Sequence, residues 1–183
     1  MENFDSERFN GFARRRLDDL LFSDFWNYDI FNERDMHSSA YFYIREFFRK
    51  HGRNSVYVRC EPKLAGMRDI VIYDKGKPIY ILEFKFFSKP NYINENSIYD
   101  DLNKLADCVE AYASVKWGFF HMLYDSDDLF TVSSSRLRKD GFTKVSVTSM
   151  NARRKENSGR RRSGYNEWRS EFDELHALHR EHP

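Results

Sequence analysis

Asp69, Glu83 and Lys85 are the residues of this chain whose types and spacing could do chemistry. Glu83 and Lys85 stand two apart in PIYILEFKFF (78–87), the most apolar strand-like run of the chain. In an extended strand they share one face with Ile79, Ile81 and Phe87, roughly 7 Å apart, while Tyr80, Leu82, Phe84 and Phe86 take the other. Apolar residues on both faces mark a central strand covered on both sides. Unpaired buried charges cost several kcal/mol each, so a carboxylate and an ammonium in that setting need partners. The nearest is Asp69 in RDIVIYD (68–74), because KGKP (75–78) is turn chemistry that folds one strand back on the other. Asp69, just inside its strand, then lies near the level of Glu83 and Lys85. Two carboxylates can hold a hard divalent cation such as Mg²⁺ (or Mn²⁺), which prefers oxygen ligands and keeps several waters. Such a cation activates water and stabilises charge on a phosphoryl oxygen. The lysine can orient that water or neutralise the developing charge. The chemistry implied is phosphodiester hydrolysis.

The elements that must position these residues follow from the hydrophobic period. Residues 5–22 predict a helix with Phe9, Phe12, Leu17, Leu20 and Leu21 along an apolar stripe. A second helix is expected over 32–50, with His37, Tyr41, Ile44 and Phe48 on its inward face and His51-Gly52 ending it. Strands are expected at 55–60, 68–74 and 78–87. A loop over 88–96 leads to a helix at 98–115, where Asp100 or Asp101 would cap the N-terminus. WGFFHMLY (117–124) and residues 143–148 are further strands, and 165–179 is a last amphipathic helix.

Asp69, a hairpin, then Glu83-Phe84-Lys85 resembles the PD-(D/E)xK nuclease superfamily, which includes restriction endonucleases and Holliday-junction resolvases. The resemblance covers about residues 33–125. It implies an α/β fold with a restriction-endonuclease-like αβββαβ core, a mixed sheet flanked by helices. By position it makes Asp69, Glu83 and the Phe84 carbonyl metal ligands and Lys85 the catalytic lysine. Arg68 stands where the family's proline precedes the Asp. The family often adds a Glu from the helix before the strands. Glu33 is preferred, being four residues before His37 on the inward stripe. Glu61, at the end of the first strand, is second, and Glu46 lies off the stripe toward solvent. His37 could join the site or be a hydrogen-bonded core histidine. Many members dimerise, so a homodimer is a possible state.

With 30 basic and 29 acidic residues the formal charge is only +1. Ten Lys/Arg between Arg136 and Arg162 face only Asp140 and Glu156, so that segment carries +8 and the remainder −7. A basic third on an acidic body suits a polyphosphate partner, here nucleic acid and in the first place DNA. The candidate contacts are Arg153, Arg154, Lys155, Arg160, Arg161 and Arg162, with Lys104 on the helix after the motif. The chain reads as one domain: an N-terminal helical segment (1–30), the core (31–150), and a basic loop with a C-terminal helix (151–183). No apolar run approaches the roughly 20 residues that span a bilayer, and MENFDSERFNGFARRR has no apolar h-region. A cytoplasmic, reducing setting is therefore expected, with Cys60 and Cys108 as buried thiols. Two other readings stand beside the nuclease. One is a catalytically silent nucleic-acid-binding module of the same fold. The other is a protein-interaction domain in which Glu83 and Lys85 are structural.

Overall fold

The computed structural model describes residues 6–27, 29–30, 32–64, 66–87, 93–124, 130–133, 136–137 and 142–151. The Arg153–Arg162 run and the helix expected over 165–179 lie outside these residues.

The first helical stretch is α1 (Ser6–Gly11), a π-helical turn (Phe12–Arg16) and α2 (Leu17–Trp26). It runs four residues beyond the expected end at 22, where Phe22 and Phe25 keep packing: Phe25 meets Phe86 at 6.1 Å. Helix α3 (Glu33–Lys50) begins after Asn32, whose side chain accepts from the Asp35 N–H at 3.0 Å. Its buried stripe is Met36, Ala40, Ile44 and Phe48. His37 and Tyr41, expected on that stripe, border it and stay partly exposed. His37 lies instead beside Asp69 and Phe84.

Strands β1 (Val56–Cys60), β2 (Ile70–Asp74), β3 (Lys77–Phe87), β4 (Trp117–Tyr124) and β5 (Val145–Asn151) form one mixed sheet in that spatial order. Pairs β1/β2 and β2/β3 are antiparallel, and β3/β4 and β4/β5 are parallel. Lys75 and Gly76 join β2 to β3 with φ of 49° and 79°. Positive φ at both central residues is the two-residue hairpin turn whose twist matches its strands. Helix α4 (Glu95–Ala111) carries the chain from β3 to the parallel β4. It starts three residues before the expected position, and its cap is Asn94, which accepts from the Ser97 N–H at 3.3 Å. Asp100 and Asp101 thus lie inside the helix, and the capping residue is Asn94. The short strand expected over 143–148 is a 3₁₀ turn (Phe142–Lys144) followed by β5.

β3 is the central strand, as its two apolar faces require. On one face Ile81 and Phe87 pack with Leu102, Leu105 and Val109 of α4. On the other, Tyr80 and Phe119 meet Phe9 at ring distances of 4.5 and 6.0 Å. The buried His121 of β4 ties α2 to the sheet: its Nδ1 lies 2.7 Å from Asp18 Oδ1 and 2.9 Å from Thr148 Oγ1. Its ring stacks on Phe84 at 5.2 Å.

Helix α4 sits so close to β4 that a Cβ on Gly118 would stand 2.8 Å from Val109 Cγ2 and 3.0 Å from Leu105 Cδ1. Val109 is β-branched and cannot swing away. Gly118→Ala should therefore destabilise by about 1–3 kcal/mol, the usual cost of overpacking. Urea unfolding followed by circular dichroism checks this; a variant as stable as wild type would show that α4 yields freely. Among the described residues no helix is long and apolar enough to cross a membrane.

Candidate active site

The site forms where β2 stops and β3 continues. Ile70, the first residue of β2, pairs with Leu82. Beyond that level the N–H groups of Phe84 and Phe86 have no strand to bond on the β2 side. Two carboxylates take the strand's place. Asp69 Oδ2 accepts from the Phe84 N–H at 2.7 Å, and Glu33 Oε2 accepts from the Phe86 N–H at 3.2 Å. Asp69 is therefore one residue ahead of β2, not inside it. This frees its side chain from the sheet's alternation. A strand residue sends its N–H and C=O to the same side, so the Phe84 carbonyl opens on the same gap as the Asp69 carboxylate.

Glu83 and Lys85 point to the α4 face of β3. Glu83 is 7% exposed. Burial and the adjacent charge of Asp69 push its carboxyl up to about 8, against the smaller opposing pull of Arg68. Asp69 thus works against a second negative charge at Glu83. Arg68 is 5% exposed. Its Nη1 lies 3.4 Å from Glu83 Oε1, and its Nη2 lies 3.4 Å from the Lys104 carbonyl. Burial opposes its charge, but hydrogen bonding to Cys108 and the Glu83 carboxyl outweigh that.

Lys85 Nζ lies 2.7 Å from Asp101 Oδ2 and 3.8 Å from Glu33 Oε2. Burial works against the ammonium, but the Asp101 hydrogen bond and the Glu33, Asp101 and Asp69 charges outweigh it and hold Lys85 above the ordinary lysine range. Asp101 is held below the ordinary carboxylate range: burial opposes this, and hydrogen bonds from Lys85 and Lys104 outweigh the burial. His37 Nε2 approaches Asp69 Oδ2 at 3.3 Å without hydrogen-bond alignment, and its ring lies 5.5 Å from that of Phe84.

The structure thus brings together Asp69, Glu83, Phe84, Lys85 and Glu33, and adds His37. The Lys104 ammonium meets the cluster at Asp101, at 3.0 Å, and is itself largely exposed. Glu46 pairs with Arg49 on the surface of α3. Glu61 touches Asp69 through the backbone, donating its N–H to the Asp69 carbonyl at 2.9 Å. Its side chain is exposed. Arg136, counted in the basic run, is bound to α4: it pairs with Glu95 and Asn96 and stacks on Tyr99 at 4.0 Å. Arg153, Arg154, Lys155, Arg160, Arg161 and Arg162 lie outside the described residues. Cys60, expected buried, is exposed, because β1 is an edge strand.

Asp101 and Arg68 are the residues that sequence reasoning missed. Asp101 was legible in part: a helix started at the Asn94 cap sets it beside Ile98, Leu102 and Leu105, on the sheet side. Nothing local marks Arg68 as buried. Among the described residues no three His, Cys, Asp or Glu side chains converge as a metal cage. Comparison with protein-family models, with curated proteins and with solved structures finds no match.

Proposed function

We propose that this chain is a metal-dependent nuclease of the PD-(D/E)xK type that hydrolyses phosphodiester bonds in DNA. The observation that carries the reading is the convergence of Asp69, Glu83 and Lys85 at the gap where β2 ends, with the Phe84 carbonyl opening on it. The order α3-β1-β2-β3-α4-β4 over Glu33–Tyr124 supports a restriction-endonuclease-like core.

The donor set fits a hard cation. It is made only of oxygen, and two carboxylates with one carbonyl leave positions for water, as Mg²⁺ and Mn²⁺ require. Asp69, Glu83 and the Phe84 carbonyl would hold the ion. When bound, it supplies an activated water and neutralises charge on a phosphoryl oxygen. Lys85 stays an ammonium, so it acts as a donor and a positive charge toward the phosphate and not as a base. Asp101 and Glu33 hold that ammonium in place. The Phe84 N–H fixes one oxygen of Asp69 and leaves the other for binding. The +8 segment of Arg136–Arg162 suits backbone contacts, which carry no base information.

The test is a cleavage assay on linear duplex, single-stranded and branched DNA and on RNA, with Mg²⁺, Mn²⁺ or EDTA. Cutting is expected with metal, and is expected to vanish in EDTA, in Asp69→Ala and in Lys85→Ala. Cutting that survives both substitutions would remove this site from the reaction. Salt-sensitive binding without any cutting would favour a silent nucleic-acid-binding module.

A further inference from the structure

The outer edge of β1 borders an open cleft of about 840 Å³. Tyr41 of α3 lines one side and Tyr73 of β2 the other, with Arg59, Cys60, Glu61 and Lys63 between them. Tyr73 carries a second ring: Tyr57 stacks on it at 5.0 Å with an interplanar angle of 6°. Tyr57 is nevertheless 40% exposed. Cations accompany the aromatics. Arg59 stands 5.5 Å from the Tyr57 ring, and Arg45 stands 5.5 Å from the Tyr41 ring. Among the described residues Arg45, Arg59 and Lys63 form no salt bridge, and Glu61 is the only acidic residue lining the cleft. The lining of the cleft adjoins the candidate active site through the backbone of β1 and the residue ahead of β2. Cys60 pairs with Ile70, the neighbour of Asp69, and the Glu61 N–H is bonded to the Asp69 carbonyl. From Tyr73 to Asp69 is four strand residues, about 13 Å.

We infer that this edge cleft binds a single strand of DNA and leads it to the Asp69 gap. Parallel tyrosines offer bases a stacking platform, and unpaired arginine and lysine beside them suit the phosphates between those bases. A duplex presents its bases already stacked and paired, so it cannot use the platform. A second copy pairing β1 to β1 is disfavoured by the shortness of the edge: β1 is five residues long. The inference rests on the nuclease reading for the position of the scissile phosphate; the binding is testable without it.

Cys60 supplies the probe, since it lines the cleft and is exposed while Cys108 is buried. The rate of Cys60 alkylation is measured on the full chain in EDTA, with and without a ten-nucleotide oligo-dT. Protection of about fivefold or more is expected at saturation. Tyr57→Ala should weaken the oligo-dT affinity read from that protection by about tenfold. Arg59→Gln, which leaves the ring stack in place, should weaken it and flatten its salt dependence by about one phosphate contact. Absence of protection, equal protection by a duplex, or protection by an RNA oligomer alone would overturn the inference. So would protection that grows with protein concentration in the absence of DNA, the sign of a β1-paired dimer. Metal-dependent cutting without Cys60 protection would overturn this cleft alone. Protection without cutting would leave the cleft standing and overturn the nuclease reading.

Discussion

Lys85→Met is expected to lower metal-dependent cleavage by about a hundredfold or more, with the fold intact. Removing one preorganised donor from a developing charge costs about 10²–10³ in rate. The fold should tolerate the loss, because Met keeps most of the aliphatic stem and Asp101 still has Lys104 at 3.0 Å. Lys85→Arg should recover little of the rate: it restores the charge but brings a planar fork to a place shaped for a point charge. Asp101→Asn separates positioning from chemistry. Lys85 would lose its 2.7 Å partner, so kcat should fall by roughly tenfold with KM little changed. The alkaline limb of the pH–rate profile should also move down, because the Asp101 hydrogen bond leads the contributions, with the Glu33, Asp101 and Asp69 charges, that raise Lys85 above its ordinary range. Full cutting by Lys85→Met would sink the assignment of the lysine. An unmoved pH profile in Asp101→Asn would reduce Asp101 to a structural contact.

Glu83→Gln should stabilise the metal-free protein at alkaline pH. The Glu83 carboxyl is pushed up from 4.5 to about 8 by burial and by Asp69 beside it. Its pKa is raised in the fold, so between about 4.5 and about 8 the folded chain holds a proton that the unfolded chain has lost. Stability must fall with rising pH across that window. Below it both states are protonated, and above it the full penalty stands. Each pKa unit is worth about 1.4 kcal/mol, which sets a ceiling near 5 kcal/mol; relaxation and water entry reduce the expected effect to about 2–4 kcal/mol. Gln cannot ionise, so Glu83→Gln should melt roughly 5–10 °C above wild type at pH 9 in EDTA, with the gap closing toward pH 4.5. Mg²⁺ should raise the melting temperature of wild type and leave the variant unmoved, since the proposed ion takes the ionised Glu83 carboxylate as a ligand. A variant less stable than wild type at pH 9 would mean that the Arg68 contact dominates and Glu83 is ionised in the fold. That outcome would remove the raised Glu83 carboxyl from the site.

The carboxylate pair and the lysine were legible because strand alternation is local. Residues 83 and 85 share a face wherever the run is extended, and KGKP supplies a turn that returns Asp69 to their level. The supporting shell was not legible in the same way. Asp101 reads as a cap for a helix that starts at 98; with the start at Glu95 it lies inside α4, on the side of Ile98, Leu102 and Leu105. The inward row of α3 begins one position earlier, at Met36 and Ala40, because the apolar period 36, 40, 44, 48 wins over the row through His37 and Tyr41. Glu33 stands out in the sequence by its place on the inward face. The structure brings it to Lys85, but through the end of α3 and the open Phe86 N–H.

What the sequence by itself determined is the class of the fold's core and the identity of its charged residues. A run apolar on both faces must be central, and the charges inside it must be compensated. What only the tertiary structure decided is by whom. Arg68 answers Glu83 from 15 residues away, and Asp101 answers Lys85 from α4. Such pairings depend on distances between elements and on the phase in which helices lie on the sheet. Periodicity fixes which side of an element faces inward; packing fixes which atoms then meet, and the energy of a buried charge depends on those atoms.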